Sequence, residues 1–144
     1  MKRVVLGLAF LGLCTPAYAQ FGSLLHKAEQ LGAAGQLEQL SLTQQEEIQL
    51  GEQVSAKIRA RFGVVQDPAV TTYVTEVGML LARASNRPNL PWQFIVLDTD
   101  GVNAFAAPGG IVHITRGALG LIQNEAELAG VLGHEITHVA DKHT

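Results

Sequence analysis

The stretch that most constrains this chain is His134-Glu135-Ile136-Thr137-His138, near the C-terminal end. It reads H-E-x-x-H, and its chemistry requires a helix. Asn124 is placed to cap one, and Glu125 to Val139 carry helical patterning. His134 and His138 then lie on one face, one turn apart. Two imidazoles so placed can both reach one zinc ion, with Zn–N bonds of about 2.0–2.1 Å. Glu135 sits about 100° round the helix from His134. From there its carboxylate can touch a water on the metal without taking a coordination position. Zinc lowers the pKa of such a water to about 7 and the glutamate accepts the proton, which is the arrangement of a metal-assisted hydrolase. Leu128, Ala129, Leu132, Ile136 and Val139 gather on the opposite side. One face packs and the other presents chemistry. The bland alternative is a solvated helix that happens to carry two histidines, and the amphipathic frame argues against it.

A length of 144 residues allows one domain at most. Residues 1–19 read as a secretory signal peptide. Lys2 and Arg3 form the basic start, Val4 to Leu13 the apolar run, and Ala17-Tyr18-Ala19 the small-x-small cleavage pattern. That run is too short to span a membrane as an ordinary helix. Cys14 is the only cysteine, and it lies inside the signal. Bulky Leu13 before it argues against lipidation. The mature chain then has no disulfide and no thiolate zinc ligand. Structural zinc sites are closed by four ligands that usually include cysteine, so a purely structural zinc is disfavoured. Without Lys2 and Arg3 the ten basic residues fall to eight, against thirteen acidic ones, a formal charge of −5. Such a chain has no electrostatic footprint for nucleic acid.

Residues 20–40 read as a helical lead-in with a weak apolar side, and His26 within it reads as a surface residue. Ser41 and Gln44 form a capping box for a helix running to about Arg61, with Leu50, Val54 and Ile58 on its buried side. Gly63 is free to adopt the left-handed cap conformation. Asp67-Pro68 starts the next helix, whose core face holds Val70, Tyr73, Val74, Val77, Leu81 and Ala84. Two prolines make residues 86–91 a loop. Trp92 to Leu97 is a strand, apolar on both faces and therefore expected inside a sheet. Val102 to Ala106 and Ile111 to Ile114 are short strands joined by Ala107-Pro108-Gly109-Gly110, where the glycines allow positive φ or close backbone approach. Thr115 caps a short helix from Arg116 to Ile122. The fold class is α+β: helices packed on a small sheet of about three strands.

At this point the chain resembles a known family. Gln45-Glu46-Glu47-Ile48-Gln49-Leu50-Gly51, Asn103-Ala104-Phe105-Ala106-Ala107-Pro108-Gly109-Gly110, Thr115-Arg116-Gly117 and Glu125 to Val139 are similar to segments of the zinc metallopeptidases of the HtpX and CAAX-prenyl-protease type, in their soluble secreted branch. The zinc motif is shared by many unrelated peptidases, and the Asn-Ala-Phe-Ala-x-Pro-Gly-Gly segment makes the resemblance specific. It covers residues 41–144, which then read as the N-terminal portion of a zincin-like, gluzincin-type domain with the H-E-x-x-H helix near the C-terminus. The resemblance implies an endopeptidase of the periplasm, secreted across the inner membrane and acting on unfolded or damaged envelope proteins. It implies one zinc ion per subunit held by His134 and His138, with Glu135 as catalytic base. It adds nothing to the charge argument against a nucleic-acid partner, and it leaves oligomeric state and peripheral association with the outer membrane open. It also implies a strand that binds substrate by β-addition. That role is assigned to Ile111–Ile114 or its partner, with Ala104, Gly110, Ile111 and Val112 as substrate-binding residues.

The family takes its third zinc ligand from a glutamate on a later helix, and this sequence holds no glutamate after Glu135. His143 would point about 180° from His134 on a continued helix, toward the apolar side. Asp141 falls on the histidine face but two turns below His134. His113 lies in the expected edge strand, where the simpler reading is a polar residue on an exposed face. The sequence therefore reads as cut short after the motif helix. A second function stands beside the peptidase: a truncated, non-catalytic relative that grips unfolded polypeptides.

Overall fold

The computed structural model describes residues 42–141, and the account below concerns the unit that begins at Gln44. The expected signal peptide, the lead-in with His26, Ser41 and His143 lie outside the described residues. The unit is built from α1 (Gln44–Phe62), α2 (Pro68–Arg83), β1 (Gln93–Leu97), β2 (Ala104–Ala107), β3 (Ile111–Thr115), α3 (Arg116–Leu121) and α4 (Glu125–Ala140). Among the described residues no helix is long and apolar enough to cross a membrane.

Local chemistry sets the element ends. Glu46 and Glu47 lie in the first turn of α1 and Arg59 and Arg61 in its last, each sign matching the helix dipole. Gly63 ends α1 with φ 73°, and its N–H bonds the Arg59 carbonyl at 2.9 Å. Asp67 caps α2 by accepting from the Ala69 N–H at 3.0 Å, with Pro68 at the first helical position. Thr115 Oγ1 caps α3 by accepting from the Ala118 N–H at 3.1 Å.

The sheet order is β1-β3-β2, with β1 parallel and β2 antiparallel to β3. Two expectations change here. β1 is an edge strand, not an inner one. The segment after α1 covers part of its outer rim: the Val65 N–H reaches the Val96 carbonyl at 2.9 Å, and the Asp98 N–H reaches the Gly63 carbonyl at 3.0 Å. β3 is the central strand, and every one of its residues is buried. Both of its hydrogen-bonding edges are already used, so Ile111 and Val112 cannot accept an added strand.

One sheet face carries the core. Phe94, Val96, Ala106, Val112 and Ile114 join Val74 and Val77 of α2 and Leu128, Leu132, Ile136 and Val139 of α4. The other face, with Ile111, His113 and Thr115 by strand alternation, looks toward α1. The buried stripe of α1 differs from the expected one. It is Glu47, Gly51 and Ser55, while Leu50, Val54 and Ile58 are half-buried. The turn between β2 and β3 presses so close that a Cβ on Gly51 would overlap the Pro108 carbonyl oxygen. Gly51 holds this face because backbone comes against it, and Ser55 because its hydroxyl meets the His113 ring. A similar effect turns α2. A Cβ on Gly78 would overlap the Phe94 ring, so Gly78 and Ala82 join Val74 and Val77 inside, while Tyr73 and Ala84 are exposed.

Candidate active site

The site is built on α4. Asn124 caps it by accepting from the Glu127 N–H at 2.9 Å, and the Glu127 carboxylate accepts from the Gln123 N–H at 2.8 Å. The first bond satisfies a donor that the helix start leaves without an intrahelical partner, and the second ties the residue before the cap to the first turn. Leu128, Leu132, Ile136 and Val139 are buried against α2 and the sheet. That packing fixes the rotation of the helix, so the opposite face opens to solvent.

His134 and His138 are both exposed on that face. Their rings stand edge to face at 88°, with centroids 4.4 Å apart. Their Nε2 atoms are 2.9 Å apart. Two nitrogens sharing one zinc ion lie no more than about 4 Å apart, given bonds of about 2.0–2.1 Å. The convergence of these two atoms therefore fits a common metal. Glu135 is half-buried at the side of the pair. Burial pushes its carboxyl above the usual carboxylate range, and the neighbouring His134 and His138 pull it back. The Thr137 hydroxyl donates to the Gly133 carbonyl at 2.8 Å within the same turns.

The other candidates separate from this cluster. Among the described residues no group of three His, Cys, Asp or Glu side chains could hold a metal ion. Asp141, at the C-cap of α4, accepts from Asn86 Nδ2 at 2.9 Å. His113 is not exposed. It is fully buried in β3, with Nε2 2.9 Å from Ser55 Oγ and its ring stacked on Phe105 at 4.9 Å. Among the substrate-binding candidates, Ala104 lies on β2, whose outer side carries no strand among the described residues. Gly110 has φ 99° and sits under Trp92, where a Cβ would come within 3.3 Å of the indole. It shapes the turn and is buried, as are Ile111 and Val112. Arg87, which nothing in the sequence marks, also reaches this helix: its Nη1 donates to the Val139 carbonyl at the foot of α4 at 3.3 Å. An arginine in a proline-rich loop gives no sign of what it will reach.

Comparison with known proteins agrees with this geometry. The chain is 31% identical over 133 residues to the "Beta-barrel assembly-enhancing protease" of Escherichia coli K12, an alignment covering 92% of this chain and 26% of that protein. It is 35% identical over 74 residues to the "Mitochondrial metalloendopeptidase OMA1" of Schizosaccharomyces pombe, covering 51% of this chain and 22% of that one. It is 38% identical over 63 residues to "Metalloprotease YcaL" of Escherichia coli K12, covering 44% and 24%. The chain thus spans about a quarter of the length of these relatives. The profile of peptidase family M48 matches residues 68–144, a span that holds β1 to β3 and the whole of α4. By that match over more than half its length, with the paired histidines inside it, the chain belongs to peptidase family M48.

Proposed function

We propose that this chain carries the metal-binding part of a zinc-dependent endopeptidase that hydrolyses unfolded or damaged envelope proteins after secretion to the periplasm. The observation that carries the reading is the meeting of His134 Nε2 and His138 Nε2, 2.9 Å apart on an open helix face. Zinc bound there would supply a Lewis acid and an acidified water. His134 and His138 would hold it. Glu135 takes a proton on its carboxylate and later delivers it to the leaving amine. An extended peptide would pair with the outer edge of β2, Ala104–Ala107, through main-chain hydrogen bonds. Such pairing grips any sequence that can extend, which suits a quality-control peptidase. The name of the Escherichia coli relative, which places that protein in β-barrel assembly, supports an envelope substrate.

The test is Glu135→Gln, read by zinc content and by casein cleavage in parallel. Zinc stays bound, and cleavage falls at least about a hundredfold, the range for loss of a general base. Undiminished cleavage refutes the role of Glu135. The second reading is a non-catalytic chain that binds unfolded polypeptides, and the absence of a third ligand among the described residues favours it. It predicts no bound zinc and chelator-insensitive binding of casein.

A further inference from the structure

We infer that Glu47 and Arg87 form a buried clasp that sets the position of the last turn of α4, and with it His138; both are positioning residues for the metal pair. The inference rests on the proposed metal site for its purpose, and on four contacts for its geometry.

Glu47 is 4% exposed and lies in the first turn of α1. Arg87 sits in the loop between α2 and β1. Arg87 Nη1 donates to Glu47 Oε1 at 2.9 Å, and Nη2 donates to Oε2 at 2.8 Å. This paired fork is the geometry in which arginine holds a carboxylate most firmly. Each partner also holds something else. Arg87 Nη1 donates to the Val139 carbonyl at 3.3 Å. Glu47 Oε1 accepts from the Gly109 N–H at 3.3 Å. One ion pair therefore joins α1, the loop before β1, the turn between β2 and β3, and the foot of the motif helix.

The bond to Val139 bears on the site. The last carbonyls of a helix have no intrahelical donor, and Val139 lies in the last turn of α4. The guanidinium supplies both the missing donor and a positive charge at the negative end of the helix dipole. Val139 is the residue after His138. Moving its carbonyl tilts the final turn and changes the approach of the His138 ring to that of His134. The loop is itself braced for the task. The Arg87 carbonyl accepts from Trp92 Nε1 at 3.0 Å, and its N–H donates to Ser85 Oγ at 3.3 Å. The Asn86 amide donates to Asp141 Oδ1 at 2.9 Å, a second tie between the same loop and the same helix end. The approach on the other side is equally close. A Cβ on Gly109, which has φ 82°, would come within 2.7 Å of the Ile48 Cα. The turn is thus seated directly on α1, where Glu47 reaches it.

The test uses the whole chain, with Glu47→Gln and Arg87→Lys. The first keeps the shape and removes the charge. The second keeps the charge and loses the planar fork that grips both carboxylate oxygens. Co2+ serves as a spectroscopic probe in place of zinc. Both variants are expected to bind it about tenfold more weakly, the low end of what partners behind metal ligands contribute, and to shift its visible absorption bands. Amide exchange at Ala140 and Asp141 should quicken about tenfold or more while exchange in β3 is unchanged. Phe94→Leu, a core change at a residue that makes none of the four clasp contacts, controls for general destabilisation: it should lower the melting temperature yet leave the Co2+ bands in place. If the wild-type chain binds no Co2+, the proposed function fails and the clasp is still judged by the exchange at Ala140 and Asp141. Unchanged exchange at the end of α4 in both variants overturns the inference.

Discussion

His113 and the His134–His138 pair occupy opposite surroundings in one small fold. His113 stands in the central strand with no exposed surface, its Nε2 on Ser55 Oγ at 2.9 Å and its ring against Phe105. No hydrogen-bond partner reaches its Nδ1. The direction of the Ser55 contact follows the tautomer of the ring. The pair on α4 is exposed, and its two Nε2 atoms turn toward each other and not toward the protein. The contrast teaches where to look for function in such a chain. A buried imidazole that bonds a hydroxyl across two elements holds them together. Exposed imidazoles whose Nε2 atoms meet at 2.9 Å on an open helix face are the pair that the proposed function assigns to a metal.

The strongest way to break this contrast is to remove His113. His113→Ala should lower unfolding free energy by about 3 kcal/mol, from the cavity under Phe105 and the abandoned Ser55 hydroxyl. Urea denaturation checks it, and a loss below about 1 kcal/mol would mean that α1 does not depend on this contact.

A pH series sharpens the same point. Burial pushes His113 down to about 4, the charge of Arg59 pushing the same way; the Phe105 backbone beside it pulls up, without hydrogen-bonding geometry. In the unfolded chain the ring titrates near 6.5. Between those values the unfolded chain binds the proton and the folded chain does not. Stability contributed by the neutral ring is thus complete above about pH 6.5, is lost as pH falls toward 4, and changes no further below that. The loss should reach about 3 kcal/mol. Carboxylates also titrate in this range, so His113→Gln is the reference. It keeps a donor toward Ser55 and removes the proton-binding step, and its unfolding free energy should fall less steeply with pH than the wild type's.

The same division explains what could be read from the residues alone. The bounds and cap of α4, the caps Asp67 and Thr115, and the terminating Gly63 are settled by chemistry within a few residues, and each falls where expected. So does the shared open face of His134 and His138, because a four-residue spacing fixes it. The stripe of α1 was not legible. Counting apolar residues selects Leu50, Val54 and Ile58, whereas Pro108, Gly109, Arg87 and His113 select Gly51, Glu47 and Ser55. All four lie at least 40 residues further along the chain. Strand order has the same cause. The continuous apolar run of β1 shows that the strand is covered on both faces, and it says nothing of which strand has a neighbour on each side.

The smallest expected effect is the most discriminating. His134→Ala and His138→Ala should each change metal-free stability by less than about 0.5 kcal/mol, the range for exposed positions away from special features. Alanine is the better helix former, so the sign should be neutral or slightly stabilising. With zinc added, the wild-type chain should gain stability with zinc concentration, by about 2.7 kcal/mol at a hundred times the dissociation constant. Each variant keeps one imidazole and should gain far less. Thermal unfolding with and without zinc separates the terms. A large metal-free loss in either variant would place that histidine among the residues that build the fold, with His113. A zinc response surviving in both would move the ion away from the motif, since a site that tolerates the removal of either ring is not the site those rings define.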